Sequence, residues 1–203
     1  MASVLYQIQI DGVNVHDYVY DSSYERTYGQ YISEGFIRLR RSAEDVVTIA
    51  EGKTVELWRG TTTATDRKEF SGIITKFEQN SEEYRIIVKD KLYQAVQRNV
   101  NKSYDKTIDT EAGDIGAILK DLLTTYAGLN ADSTSVQSTT DYATLSRFVC
   151  KDTDVFERCK TLVGILNWQM YYDPVTDKVN VEPKGYNSST TVLRYKNATA
   201  SLN

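Results

Sequence analysis

The segment spanning residues 147–183 limits the possible folds of this chain more than any other stretch of it. It reads RFVCK, DTDVFERCKTLVG, ILNWQMYY, DPVTD and KVNVEP in succession, which predicts a strand, a capped helix and a two-stranded hairpin. The segment contains no set of residues whose types and spacing could catalyse a reaction. A module patterned so regularly for packing, in a chain without a plausible active site, indicates an architectural protein.

The helix of this segment is expected to begin near residues 152–153 and to end at Gly164. Residues 165–172 are predicted to form a strand, and the turn at residues 173–176 has proline at its second position. Val179 and Val181 mark the returning strand of the hairpin. The apolar face of the helix consists of Val155, Phe156, Cys159, Leu162 and Val163.

A second amphipathic helix is predicted upstream, where the apolar spacing changes to 3.6 residues. Asp109 or Thr110 is expected to cap it. Glu111 and Asp114 then fall in its first turn, near the positive end of the helix dipole, and Gly128 is expected to stop the helix. Its apolar face consists of Ile115, Ile118, Leu119, Leu122, Leu123 and Tyr126.

The sequence of the first half of the chain, residues 3–99, is typical of short strands separated by turns. Residues 5–10 alternate in polarity, and an Asp-Gly turn follows them. Further strands are predicted at residues 36–39, 54–58, 70–74 and 84–88, and the polar stretch 61–69 is expected to form a mobile hairpin tip. Five or six such strands favour a small β-barrel or a sandwich.

A cluster of tyrosines lies in this half, between residues 18 and 31. Both a helical stripe and one face of a strand fit their spacing, and the turn signal at Gly29-Gln30 favours an extended hairpin. Tyrosine suits a surface that becomes dry on assembly, because the ring packs while the hydroxyl is solvated. Two interpretations stay open, a subunit interface and a set of rings that close the barrel. The interface residues predicted on the first interpretation are Tyr18, Tyr20, Tyr24, Tyr28 and Tyr31.

Composition excludes several classes of protein. Basic and acidic residues number 24 and 28, for a formal net charge of −4, and their signs are interleaved, which argues against a general nucleic-acid binder. No apolar run approaches the roughly 20 residues that span a bilayer, and the N-terminus lacks the pattern of a secretory signal. Cys150 and Cys159, the only cysteines, are expected to be buried thiols. We therefore expect a protein made in the cytoplasm, without membrane insertion.

The candidate chemical motifs are weak. His16 is the only histidine and is far in sequence from both cysteines, so a Cys–His dyad and a zinc site lack partners. The Gly52-Lys53-Thr54 tripeptide lacks the earlier glycine of a phosphate-binding loop and leads into a predicted strand instead of a helix. The start of a helix explains the carboxylates near residue 111. We predict no catalytic, metal-binding or cofactor-binding residues and no enzyme.

Four stretches in order carry a family resemblance: GKTVELWRG, FSGIITKFEQNSEEYRIIVKDKLYQAVQRNV, EAGDIGAILKDLLTTYAGL and DTDVFERCKTLVGILNWQMYYDPVTDKVNVEP. Over roughly residues 50–200 the chain resembles bacteriophage tail hub proteins of the baseplate-hub or late-control-D type. The resemblance implies a tube-forming β-barrel, an α/β domain on its flank and a second barrel, in trimers whose six barrels form a ring that meets the tail tube. Residues 191–195 resemble the strand that opens the second barrel, and the given sequence stops at residue 203. A chain with a single barrel is therefore expected to need six copies, in place of three, to form the same ring.

The predicted fold class is therefore α+β, with an N-terminal tube-forming β-barrel and then an α+β domain of two short helices and a β-hairpin. The expected domains are residues 1–100, residues 101–186 and a C-terminal strand at residues 187–203, the start of a second barrel. The resemblance implies a structural ring in the virion that joins the tail tube or distal tail protein to the spike or tip. DNA would only pass through its lumen. The alternative is a sugar- or receptor-binding module of a virion or cell surface, with Trp58 or Trp168 as a stacking platform.

Overall fold

The computed structural model describes residues 5–25, 31–61, 64–108, 113–139 and 144–184. They form two compact units, the first ending at Asp90 and the second beginning at Lys91. The strand that begins at Asn99 pairs within the second unit. The expected C-terminal strand at residues 187–203 lies outside the described residues.

The described residues of the first unit form one antiparallel sheet of seven strands, curled into a half-barrel. In spatial order the strands run β2-β1-β5-β6-β7-β4-β3, so among the described strands β2 and β3 are the two ends of the sheet. A short 3₁₀ turn, His16–Tyr18, connects β2 to β3. The strands are β1 (Leu5–Ile10), β2 (Val13–Asn14), β3 (Val19–Glu25), β4 (Glu34–Arg40), β5 (Thr54–Thr61), β6 (Ala64–Gln79) and β7 (Glu83–Asp90).

The concave face of the sheet carries the core of the first unit. In β4, Ile37 and Leu39 are buried while Phe36 and Arg38 point to the opposite face, as the two-residue period of a strand requires. Burying each aliphatic side chain of this kind stabilises the fold by about 1.5–3 kcal/mol. The predicted strands at residues 36–39, 54–58, 70–74 and 84–88 are confirmed. The main core members are Ile8, Ile10, Val15, Ile37, Leu39, Val55, Phe70, Ile74, Tyr84, Ile86 and Val88.

The polar stretch 61–69 lies in the β5–β6 hairpin, as predicted, but most of it is paired strand and not the tip of the hairpin. β6 begins at Ala64, and residues 62–63 lie outside the described part of the chain. Opposite charges on β5 and β6 explain the pairing: Lys68 Nζ lies 2.6 Å from Glu56 Oε1, and Arg59 Nε lies 3.3 Å from Glu69 Oε1. Such cross-strand pairs offset the low strand preference of charged residues.

The described residues of the second unit form two helices and two two-stranded antiparallel sheets, which agrees with the predicted α+β class. One sheet pairs β8 with β9, and the other is the hairpin of β10 and β11. Its elements are β8 (Asn99–Asp105), α1 (Ile115–Asp121), β9 (Arg147–Asp154), α2 (Val155–Leu166), β10 (Trp168–Asp173) and β11 (Lys178–Pro183).

Helix α1 differs from its prediction at both ends. Its N-cap is Asp114, whose side chain accepts a hydrogen bond from Gly116 N–H, so Asp114 does not lie within the first turn. The expected caps at 109 and 110 lie outside the described residues. After Asp121 the chain continues as one π-helical turn, Leu122–Tyr126, instead of a regular α-helix. Gly128, with φ of +69°, follows that turn as predicted.

Helix α2 begins and ends about two residues later than predicted. Asp154 caps it by accepting from Glu157 N–H at 2.8 Å. Asn167, with φ of +53°, supplies the left-handed conformation that ends the helix, so Gly164 lies inside the last turn. Asparagine adopts this conformation more readily than other residues with a side chain, because its short amide bonds locally. Ile165 is consequently helical, and the following strand starts at Trp168.

Candidate functional site

The predicted tyrosine hairpin exists as an extended structure. β3 pairs with β4 in antiparallel register from Val19 opposite Leu39 to Glu25 opposite Glu34, which confirms the hairpin over the helix. Tyr20 and Tyr24 lie on β3, while Tyr18 closes the preceding 3₁₀ turn and Tyr31 precedes β4. Tyr28 and the predicted turn at 29–30 lie outside the described residues.

The tyrosines of the hairpin do not share one face. The register shifts between Val19 and Asp21, so Tyr20 is the extra residue of a β-bulge. Its ring is 55% exposed and lies under the Arg40 guanidinium, 5.4 Å from carbon to ring centroid. Tyr24 instead packs against Phe70 in the core, with ring centroids 6.0 Å apart. The bulge therefore separates one outward tyrosine from one that contributes to the core.

A cleft opens on the concave side of the sheet, between its two ends. It encloses a cavity of about 220 Å³. Tyr6 of β1 and Tyr24 of β3 both line it, which shows that the curled sheet brings the end strand β3 and the strand next to the other end, β1, around the same cavity. The floor is apolar and consists of Ile8, Ile37, Val55, Leu57, Phe70 and Val88.

Glu69 places a carboxylate at this apolar floor. A bulge in β6 inserts Glu69 between Lys68, opposite Trp58, and Phe70, opposite Leu57. Because the bulge interrupts the alternation, the consecutive residues Glu69 and Phe70 both line the cleft. The Glu69 side chain is only 9% exposed, and its Oε1 has no hydrogen bond from any of the described residues.

Ion pairs compensate only part of this buried charge. Arg59 Nε lies 3.3 Å from Glu69 Oε1 and Arg67 Nε lies 3.7 Å from it, yet neither contact has hydrogen-bond geometry. A buried carboxylate oxygen without a donor is costly, so a cleft of this kind favours an occupant that brings an N–H or O–H. His16 and Asp21 add polar groups to the rim.

Among the residues that the structure describes, no group of three His, Cys, Asp or Glu side chains could hold a metal ion. No described helix has the length and apolar character that crossing a membrane requires. Gly52 precedes β5, which confirms that the Gly52-Lys53-Thr54 sequence leads into a strand.

The tryptophans that a sugar platform would need are engaged elsewhere. Trp168 is buried in the second unit, as its apolar neighbours predicted. Trp58 donates its Nε1–H to Glu56 at 3.0 Å, and Lys68 Nζ lies 5.0 Å from the centroid of its ring. The two cysteines are buried as predicted, and burial raises the pKa of both the Cys150 and the Cys159 thiol.

Sequence reasoning missed two acidic residues that organise the structure, Glu69 and Asp121. Asp121 of α1 accepts from Lys102 Nζ, from the Tyr104 hydroxyl and from the Thr125 hydroxyl, at 2.8, 2.7 and 2.8 Å. Burial alone would raise the pKa of Asp121, but these hydrogen bonds outweigh it and lower the pKa below its ordinary value. No sequence pattern marks either residue. The hydrogen bonds of Asp121 depend on side chains distant along the chain, and the position of Glu69 depends on a bulge.

The fold is one found among tail-type proteins of phages and of a bacterial secretion system. A prophage MuSo2 43 kDa tail protein from Shewanella oneidensis aligns with 89% of this chain and 53% of its own length, with a TM-score of 0.65 at 10% sequence identity. The Escherichia coli c3393 protein aligns with 90% of this chain and 46% of its own length, with a TM-score of 0.52 at 13% identity. It is a type VI secretion system component with structural similarity to the T4 bacteriophage tail proteins gp27 and gp5.

These similarities are structural. The chain spans about half the length of each of these two proteins. No protein-family model matches the sequence, and no curated protein matches it either.

Proposed function

We propose that this chain is a structural, non-enzymatic component of a phage tail or a phage-tail-like particle, resident in the virion. The observation that carries the proposal is the alignment of 89% of the chain with a prophage tail protein, extending over both units. Similarity in a second tail-related protein, from a secretion system, supports the same architectural role. The specific role we propose is a baseplate hub ring that joins the tail tube or distal tail protein to the spike or tip.

In this proposal, residues 1–100 form the tube-facing domain and residues 101–186 form a flanking domain that contacts other baseplate parts. Copies of the chain assemble as a closed trimer or hexamer, since closed rings use every interface and leave none exposed. The interleaved charges and the net charge of −4 suit a lumen through which DNA passes without binding, because binding to phosphates requires concentrated Lys and Arg.

Tyr18, Tyr20, Tyr24, Tyr28 and Tyr31 are the proposed subunit interface. Tyr20 is the member best suited to contact a neighbouring copy, because the bulge leaves its ring 55% exposed on β3. Tyr24 supports the interface from inside the sheet, through its packing on Phe70. An exposed tyrosine of this kind is common at interfaces, where its ring becomes buried and its hydroxyl finds a partner.

The Tyr20→Ser variant tests the interface. Burying about 100 Å² of the ring on assembly contributes about 2 kcal/mol, so we expect its loss to weaken assembly about 30-fold. The matched control is Val175→Ser, since Val175 is 56% exposed in the hairpin turn of the second unit. Sedimentation velocity over a concentration series measures assembly, and far-ultraviolet circular dichroism verifies folding.

The proposal predicts that Tyr20→Ser shifts the protein to smaller species while Val175→Ser assembles as the wild type does. Equal assembly of both variants would remove Tyr20 from the interface. Tyr24→Ser is unsuitable as the first test, because losing the contact with Phe70 also removes packing from the core.

A further inference from the structure

The cleft on the concave side of the sheet has the size of a binding site for one small ring. Its cavity of about 220 Å³ is larger than the roughly 150 Å³ of an apolar cavity that holds benzene. The cavity is also smaller than the roughly 300–1,000 Å³ of the clefts that hold drug-sized ligands. A single substituted ring therefore has the appropriate volume, whereas an oligosaccharide or a peptide of several residues is too large.

The walls of the cleft favour an aromatic ligand. Tyr6, Tyr24 and Phe70 all line it, and the centroids of the Tyr24 and Phe70 rings lie 6.0 Å apart at an interplanar angle of 46°. Aromatic rings attract one another in tilted arrangements at this spacing, so a further ring packs favourably beside them. The remaining floor is aliphatic, which suits the apolar body of the same ligand.

Glu69 requires that the ligand also carries a hydrogen-bond donor. The Glu69 side chain lines the cleft and is 9% exposed, and no described residue donates a hydrogen bond to its Oε1. A buried acceptor without a donor costs free energy, and a ligand that supplies the donor removes this cost. A purely apolar ring leaves the acceptor unsatisfied.

The charges around Glu69 favour a neutral donor. Arg59 Nε and Arg67 Nε already lie 3.3 Å and 3.7 Å from Glu69 Oε1, so a cationic ligand would bring a third positive charge to one carboxylate. An anionic ligand would meet the carboxylates of Glu69 and Asp21, which both line the cleft. Like charges at close range repel one another in either case. A hydroxyl on an aromatic ring supplies a donor without a charge.

We infer that the concave cleft binds a neutral phenol, whose ring packs against Phe70 and the aliphatic floor and whose hydroxyl donates a hydrogen bond to Glu69. The site lies within the first unit and does not depend on the proposed ring. A free phenolic molecule and a tyrosine side chain of a second copy both provide this chemistry.

Titration of the full-length chain with p-cresol, followed by heteronuclear NMR of the backbone amides, tests the inference. Toluene is the matched ligand, because it lacks only the hydroxyl. We expect saturable shifts at the amides of the cleft floor and a dissociation constant about tenfold lower for p-cresol than for toluene, since the hydroxyl bonds a charged acceptor. The reporting amides are those of Ile37, Val55, Phe70 and Val88.

Three variants locate the site. Glu69→Leu removes the acceptor, so we expect the two dissociation constants to agree within about twofold. Leu57→Phe adds volume to a residue of the floor and should weaken binding of both ligands by about tenfold or more. Val46→Phe is the matched control, because Val46 is 43% exposed and is not among the residues that line the cleft, and it should bind both ligands as the wild type does.

Several results would overturn the inference. These are the absence of saturable shifts at the floor amides, equal affinity of the wild type for p-cresol and toluene, and an unchanged preference for p-cresol in Glu69→Leu. Far-ultraviolet circular dichroism verifies folding of each variant. If Glu69→Leu does not fold, the two ligands on the wild type and on Leu57→Phe decide the question by the same criteria.

The protein concentration distinguishes the two sources of the phenol. If a tyrosine of a second copy occupies the cleft, p-cresol binds single protomers and binds the assembled protein less tightly. If the natural ligand is a free molecule, the affinity is the same at both concentrations. Either result supports the site, and sedimentation identifies which species is present. Should the ring not form, the titration of single protomers still tests the cleft.

Discussion

The carboxylate of Asp114 is expected to stabilise the second unit more than any other exposed or half-buried side chain at the start of α1. Its Oδ1 accepts hydrogen bonds from Gly116 N–H, Thr139 N–H and the Thr139 hydroxyl, each at 2.8 Å, and its Oδ2 accepts from the Ser138 hydroxyl at 2.6 Å. Asp114→Ala removes all four contacts. The same substitution removes these hydrogen bonds between the N-terminus of α1 and residues 138–139.

The size of the effect follows from two contributions. Loss of an N-cap costs about 1 kcal/mol. Thr139 is fully buried, so its N–H loses its acceptor in a place that water reaches poorly, which costs about 2 kcal/mol more. We therefore expect Asp114→Ala to lower the free energy of unfolding by about 3 kcal/mol. Asp114→Asn keeps the Oδ1 acceptor and can donate to Ser138, so we expect it to cost about 1 kcal/mol.

Urea denaturation followed by fluorescence of the buried Trp168, in a Trp58→Phe background, measures these differences locally. Burial alone would raise the pKa of Asp114, but its hydrogen bonds lower it below the ordinary value. The ionised carboxylate thus stabilises the fold above the unfolded pKa of about 3.9, and this stabilisation is lost as the pH falls through the folded pKa. The stability difference between the wild type and Asp114→Asn should begin to shrink near pH 4 and should close only as the pH falls below the lowered folded pKa of Asp114. Equal stability of Asp114→Ala and the wild type at pH 7 would refute the reasoning.

Three further predictions concern two glycines and the thiols of the second unit. Gly116→Ala should cost about 2 kcal/mol or more, because an added Cβ would lie 2.1 Å from the backbone oxygen of Gln137. Gly164→Ala should stabilise the fold by about 0.5–1 kcal/mol, since Gly164 lies inside α2 with open space around it. Cys150 and Cys159 should resist a thiol reagent in the native protein and react only on unfolding, because both are buried and burial raises their pKa values.

Thermal and urea unfolding of the two glycine variants provide matched measurements, since each adds the same methyl group. A stabilising Gly116→Ala would mean that the approach to Gln137 is looser than the structure shows. Rapid labelling of either cysteine at neutral pH without denaturant would show that the core of the second unit opens readily.

Alternation and spacing recovered most of the secondary structure, because they report directly which side of an element is buried. The strands around Ile37, Val55 and Ile86 and the helix around Cys159 were predicted on this basis. Both helices were found, with errors of a few residues at their ends. Where several acceptors compete for one helix start, as Asp109, Thr110 and Asp114 do, distant partners such as Thr139 decide the cap.

The candidate site was less predictable, since it depends on bulges. A bulge inserts one residue without a compositional signal and inverts the facing of every residue after it. Tyr20 and Tyr24 were therefore assigned to one face, although the bulge at Tyr20 separates them. Glu69 was placed in a polar hairpin tip, and only the bulge in β6 turns it toward the cleft beside Phe70.

The native mass of the full-length chain at tens of micromolar tests the central claim most directly. We expect a closed assembly with the mass of three or six copies of the 23.1 kDa chain, unchanged on further concentration. A single protomer at every concentration, or an open series of ever larger species, would contradict a ring-forming structural role.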